Sequence, residues 1–175
     1  MENTAISLII TNFNRMKFLA RSIRSCLGQI IHRREIEIIL VDDASDDDSK
    51  IVWSEFTDSI KIIERSKNGG VAAASNDGVK SAKGDYVMRV DADDYLSYNA
   101  CNFMSSILDN NPEVSYVFCD HIRIDSNGNK LEKVSIDSKK KLYETGAGIL
   151  FRKRDILEIG CYDENLRNAE DFDLL

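Results

Sequence analysis

Residues 5–11, Ala-Ile-Ser-Leu-Ile-Ile-Thr, form a nearly continuous apolar run. A strand of this kind is apolar on both faces and must be covered on both, the condition met in parallel sheets with helices above and below. The pattern that follows repeats the demand. Leu19, Ile23, Cys26, Leu27 and Ile30 recur at helical spacing, and residues 35–41, Glu-Ile-Glu-Ile-Ile-Leu-Val, read as a second strand stopped by Asp42-Asp43. Ile51 and Phe56 mark a second helix capped by Asp48 or Ser49, and residues 60–63 a short third strand. Gly69-Gly70 marks a turn, the alanine-rich 71–82 a third helix, and 85–90 a fourth strand. A helix over 101–108 ends before Pro112, the only proline. A strand over 115–119 and a hairpin turned by Asp125-Ser-Asn-Gly-Asn-Lys130 complete the legible elements. Strand and helix alternate over the first 110 residues, which predicts an α/β fold with a doubly wound, mostly parallel sheet and a small antiparallel hairpin region.

Ligands of such sheets bind beyond the carboxyl ends of the strands. Three clusters fall at those ends: Thr11–Asn14, Asp42-Asp43 and Asp91-Ala92-Asp93-Asp94. The last is the most informative. Three carboxylates at the end of a buried strand repel one another, and a divalent cation would offset that repulsion while bridging them to a second anion such as a diphosphate. Asp91 and Asp93 are two apart, so on an extended chain both face one side; oxygen ligands of this sort favour Mg2+ or Mn2+ over zinc. Asp42-Asp43 could contact a ribose or a base edge, or cap the next helix together with Asp46–Asp48. Phe13 could stack on a nucleobase or be a plain rim aromatic. A dinucleotide fold would need Gly-x-Gly-x-x-Gly after the first strand, and Thr11-Asn-Phe-Asn14 stands there instead, which argues against NAD or FAD.

Further along, Gly146-Ala147-Gly148 precedes an apolar triplet. It either lets a substrate approach the backbone or makes a tight turn. Glu170 and Asp171 either complement the dipole of a helix starting near Asn168 or supply a general base.

The net charge of −7 argues against a nucleic-acid partner. No apolar run approaches a membrane span, and the four scattered cysteines read as reduced structural thiols, which together place the chain in the cytoplasm. His32, His121 and Trp53 read as structural or surface residues.

Together these segments resemble the family 2 glycosyltransferases. The matching text is Ile-Ser-Leu-Ile-Ile-Thr-Asn-Phe-Asn (6–14), Ile-Ile-Leu-Val-Asp-Asp-Ala-Ser-Asp-Asp (38–47) and Asn-Gly-Gly-Val-Ala-Ala-Ala-Ser-Asn-Asp-Gly (68–78). It continues with Gly-Asp-Tyr-Val-Met-Arg-Val-Asp-Ala-Asp-Asp (84–94), Gly-Ala-Gly-Ile-Leu-Phe-Arg (146–152) and Asn-Ala-Glu-Asp-Phe-Asp-Leu (168–174). The resemblance implies one Rossmann-like GT-A domain across residues 1–175, with a nucleotide-binding part over 1–110 and an acceptor-side part over 111–175. It implies inverting transfer of a sugar from a nucleotide-diphosphate donor, UDP most commonly, to an acceptor hydroxyl of a glycan or lipid-linked acceptor. Polysaccharide or glycolipid synthesis at the inner membrane face is the setting it suggests.

Carried over by position, Thr11 and Phe13 line the nucleobase pocket, Asp43 hydrogen-bonds the base and Asp42 supports the turn. Asp91 lies near the ribose or a metal-bound water, Asp93 ligates Mn2+ or Mg2+ on the diphosphate, and Asp171 is the catalytic base with Glu170 beside it. Gly146, Ala147 and Gly148 border the acceptor. Two departures stand out. Ser75 occupies a position where many relatives carry an arginine, which leaves Arg65 or Lys67 to supply that cation. The chain also ends four residues past Asp171, so the acceptor side is expected to be truncated.

Other readings differ in what they require. A GT-A domain could bind a nucleotide sugar without turnover. A nucleotidyltransferase also uses paired acids with Mg2+. A receiver-type signalling domain would share Val41-Asp42-Asp43, but there the acidic pair follows the first strand, and here a full strand and helix precede it.

Overall fold

The computed structural model describes residues 5–32, 34–136 and 147–166. Gly146, Glu170 and Asp171 lie outside the described residues. Eight strands and five helices are described: β1 (Ile6–Asn12), α1 (Met16–Leu27), β2 (Ile36–Asp42), α2 (Ser49–Ser54), β3 (Lys61–Glu64), α3 (Gly70–Ser81), β4 (Tyr86–Asp91), α4 (Ala100–Asn110), β5 (Tyr116–Val117), β6 (His121–Ile124), β7 (Lys130–Val134), β8 (Leu150–Arg152) and α5 (Lys153–Glu158). The main sheet runs β3-β2-β1-β4-β8-β5, and β6-β7 form a separate hairpin. Strands β1, β2, β3 and β4 are parallel, whereas β8 is antiparallel to both β4 and β5.

Every residue of β1 is buried, as its unbroken apolar run requires. On one face Ile6, Leu8 and Ile10 pack with Leu19 and Ile23 of α1, Trp53 of α2 and Met104 and Leu108 of α4. On the other, Ile9, Ile39 and Val41 pack with Ala72, Ala74 and Val79 of α3 and Ile156 of α5. The alanines and Gly78 explain how α3 lies so close to the sheet: a Cβ on Gly78 would stand 2.2 Å from Ile9 Cγ2.

The strand expected over 115–119 shortens to Tyr116–Val117, and β8 and α5 have no counterpart in the sequence reading. Asp48 stands at the N-cap of α2, as expected, but makes no side-chain cap hydrogen bond. Its neighbour Asp47 binds the helix start instead: Oδ1 accepts from Ser49 N at 2.9 Å, and Oδ2 accepts from Met16 N at 2.9 Å, tying the start of α1 to that of α2. Cys26, Cys101 and Cys161 are buried thiols, as expected, while Cys119 is exposed; all four are free.

Candidate functional site: the carboxyl edge of the sheet

The parallel strands bring Thr11–Asn14, Asp42-Asp43 and Asp91–Asp94 to one edge. Backbone bonds stitch the edge together: Asp43 N donates to Asn12 O at 2.8 Å, Ala92 N to Thr11 O at 3.2 Å and Arg65 N to Asp42 O at 2.9 Å. Beyond β1 and β2 the chain bends through left-handed backbone at Asn14 (φ 54) and Ala44 (φ 59).

Asp42 and Asp43 have different tasks. Asp42 accepts from Asn12 Nδ2 at 2.6 Å, from Ser45 Oγ at 2.7 Å and from Ser45 N at 3.1 Å, so it holds the turn after β2. Asp43 is 3% exposed. Its Oδ1 accepts from Arg65 Nη1 and Gly69 N, both at 2.9 Å, and its Oδ2 from Gly70 N at 2.8 Å. Gly70, at φ +86, adopts a conformation that suits glycine. Asp43 therefore anchors the start of α3. Arg65 is committed to Asp43 and, through Nε at 3.0 Å, to Asp77, so it is already bound where the sequence reading had it as a substitute cation. Ser75 is buried in α3.

The acidic segment is not extended, which corrects the expectation that Asp91 and Asp93 share one face. Asp91 ends β4, and Asp94 N donates to Asp91 O at 2.9 Å, closing a turn over Ala92 and Asp93. The two carboxylates consequently meet different partners. Asp91 Oδ1 accepts from Thr11 Oγ1 at 3.3 Å and lies 3.2 Å from Nε of the buried Arg89. Asp93 Oδ2 accepts from Arg15 Nε at 3.0 Å. Asp94, at the exposed rim, has its carboxyl pushed up to about 6, by partial burial first and by the Asp91 and Asp93 charges next, with Arg21 and Arg89 pulling the other way.

This crowding fits a divalent cation. Among the described residues no group of three His, Cys, Asp or Glu could by itself hold a metal. An Mg2+-type ion is commonly bound by one or two carboxylates with substrate phosphates completing its shell, and Asp91 and Asp93 are the residues that would hold one here.

Phe13 is 44% exposed just past β1, open to a stacking partner. Beside the acidic turn lies a cavity of about 630 Å3, bounded by Asp94, Tyr95, Met104, Ile124, Leu131 and Gly148. Ala147 also lines it, so two of the three small residues expected at the acceptor side border this space. Gly148 N donates to Arg89 O at 2.9 Å, fixing that segment to β4.

Sequence reasoning missed the cations that balance the acids, Arg15, Arg21 and Arg89. Arg15 and Arg21 meet partners far along the chain, and Arg89 sits inside an otherwise apolar strand, where no motif flags them.

The Glycosyl transferase family 2 pattern matches residues 7–161, and the chain belongs to that family. Chondroitin synthase of Escherichia coli is 27% identical over 179 residues, covering 97% of this chain and 26% of that protein. The crystal structure of S. aureus TarS 1-349 in complex with UDP superposes with a TM-score of 0.78 at 21% identity, over 95% of this chain and 52% of that one. Mannosyltransferase PcManGT from Pyrobaculum calidifontis, in complex with GDP-Man and Mn2+, does so with 0.77 at 15% identity, over 99% and 51%. The fold is GT-A. The chain thus spans about a quarter of that synthase and half of those structures. Among the described residues no helix is long and apolar enough to cross a membrane.

Proposed function

We propose that this edge binds a nucleotide-diphosphate sugar, most simply a UDP-sugar, with a divalent cation, and passes the sugar to an acceptor hydroxyl with inversion. The observation that carries the reading is the convergence of Asp91 and Asp93 with Thr11 and Phe13 at the carboxyl ends of β4 and β1. The 1–110 part holds the donor and the 111–175 part borders the acceptor.

Phe13 stacks on the base and Thr11 lines the same pocket. Asp43 and Asp42 shape its floor; the contact of Asp43 with the base rests on the family resemblance, because the protein already supplies three donors to its carboxylate. Asp91, held by Thr11 and Arg89, faces the ribose or a metal-bound water, and Asp93 is the direct ligand for Mn2+ or Mg2+. When bound, that ion stabilises the negative charge building on the departing diphosphate without a proton donor. Asp93 first leaves its exposed pair with Arg15, which costs little because such pairs contribute about 0–1 kcal/mol. Asp171, with Glu170 beside it, takes the proton from the attacking hydroxyl, a step for which a positioned base contributes about 10²–10⁴-fold. Gly146, Ala147 and Gly148 leave room for the acceptor, a glycan or lipid-linked hydroxyl in polysaccharide or glycolipid assembly.

Asp171→Asn tests the catalytic part. The account expects donor binding to persist and transfer to fall at least a hundredfold, with the product inverted at the anomeric carbon. A retained configuration, or unchanged turnover, would refute it.

A further inference from the structure

The β6–β7 hairpin makes no pairing with the main sheet, yet it walls the cavity beside the acidic turn through Ile124, Lys130 and Leu131. Its tip is held by one carboxylate: Asp125 Oδ1 accepts from Asn127 N at 2.8 Å and from Asn129 N at 2.9 Å. The tip rests on Arg21 of α1. A Cβ placed on Gly128 would stand 2.9 Å from Arg21 Nη1, so the glycine backbone and the guanidinium are in close approach. The same guanidinium donates from Nη2 to Asp93 O at 3.1 Å. Its centre lies 5.0 Å from the Tyr95 ring and 5.5 Å from the Phe18 ring. Arg21 Nε is buried without a hydrogen-bond partner among the described residues. One side chain of α1 therefore meets both the turn that carries the donor-side carboxylates and the hairpin that walls the cavity beside it.

Resting on the donor reading above, we propose that Arg21 is a positioning residue that ties the hairpin to the backbone of Asp93, so that the acceptor-side cavity and the diphosphate site are coupled through it. A planar guanidinium suits this place. It can stack on Tyr95 while one nitrogen holds the Asp93 carbonyl and another meets the hairpin, and an ammonium cannot do all three. Movement of the hairpin as the cavity fills would be felt at Asp93, the residue assigned to the metal and diphosphate, before it reached the base pocket around Phe13.

The test is a titration of UDP with Mn2+, and separately of uridine, against the wild-type protein, Arg21→Met, Gly128→Val and the double variant, with melting temperatures for each. Arg21→Met is expected to weaken Mn2+-dependent UDP binding about tenfold, the loss typical of one charge-assisted hydrogen bond, and to leave uridine binding unchanged. Gly128 stands at φ +89, so valine there strains and displaces the tip as well as meeting Arg21. Because the tip reaches Asp93 only through Arg21, Gly128→Val is expected to weaken UDP binding in the Arg21 background and to add nothing when Arg21 is already Met. Arg21→Lys, which keeps the charge and most of the packing, should fold as the wild type and give a smaller loss of the same kind. Wild-type UDP affinity in Arg21→Met, equal losses for UDP and uridine, or losses that multiply in the double variant would each overturn the inference. Failure of the wild-type protein to bind UDP, GDP or dTDP would instead overturn the donor reading, and the inference with it.

Discussion

Replacing Asp43 with Asn separates an anchoring carboxylate from one that serves the ligand alone. In the folded chain Asp43 is 3% exposed and receives Arg65, Gly69 N and Gly70 N, while Arg65 is only 17% exposed at its side chain. Removing one partner of a buried ion pair costs about 3–5 kcal/mol, because the other charge stays buried. Two features reduce that figure. Arg65 keeps its 3.0 Å contact with Asp77, and asparagine retains one carbonyl oxygen for one of the glycine N–H groups. The amide NH2, however, must face either the guanidinium or a glycine N–H, so a donor meets a donor inside the protein. The expected loss is about 2–3 kcal/mol, which for a domain of this size lowers the melting temperature by about 4–12 °C. Urea unfolding followed by circular dichroism measures it. Arg65→Met should cost less, and the double variant should cost less than the sum of the two. Stability of Asp43→Asn within about 0.5 kcal/mol of wild type would refute the anchoring argument and leave Asp43 to the ligand alone.

Gly78→Ala places a methyl 2.2 Å from Ile9 Cγ2; overpacking of this kind costs about 1–3 kcal/mol, to be read by thermal melting, and an unchanged melting temperature would contradict the close approach of α3 to β1. The Asp94 carboxyl stands near 6 rather than 3.8, so the folded chain binds more protons than the unfolded chain between those values. Stability contributed at this group is therefore present at low pH and lost as pH rises from about 4 to about 6. With chelator present, Asp94→Asn should flatten that decline relative to wild type, by no more than about 1 kcal/mol after solvent screening at an exposed rim; parallel pH profiles of the two proteins would contradict the repulsion among the three acids.

The legible part of the fold is the part whose residues announce their own burial. Strands β1, β2 and β4 stand out because predominantly apolar runs covered on both faces admit few alternatives. Strand β8 is three residues long and β5 two, too short for any period to register. The antiparallel entry of β8 between β4 and β5 is set by tertiary pairing rather than by local pattern. At the site, the acids were visible because carboxylates cluster at strand ends, but their geometry was not. The turn over Ala92 and Asp93 sends the two side chains to different partners, so reading the segment as extended failed. The balancing cations were hidden for a related reason. Arg15 meets Asp93 across 78 positions and Arg21 meets the same residue across 72, and surface arginines are too common for either to stand out. Arg65 is visible in the sequence, but its commitment to Asp43 is not, because that depends on a tertiary contact across 22 positions.

The most direct test of the central claim is a calorimetric titration of UDP, GDP and dTDP, with and without Mn2+, against the wild-type protein and Asp93→Ala. The account predicts that one nucleotide binds in a Mn2+-dependent manner and that Asp93→Ala removes the dependence on the ion while the melting temperature stays near that of the wild type. Binding that is indifferent to Mn2+, or equal in the two proteins, would contradict the assignment of the acidic turn to the donor diphosphate.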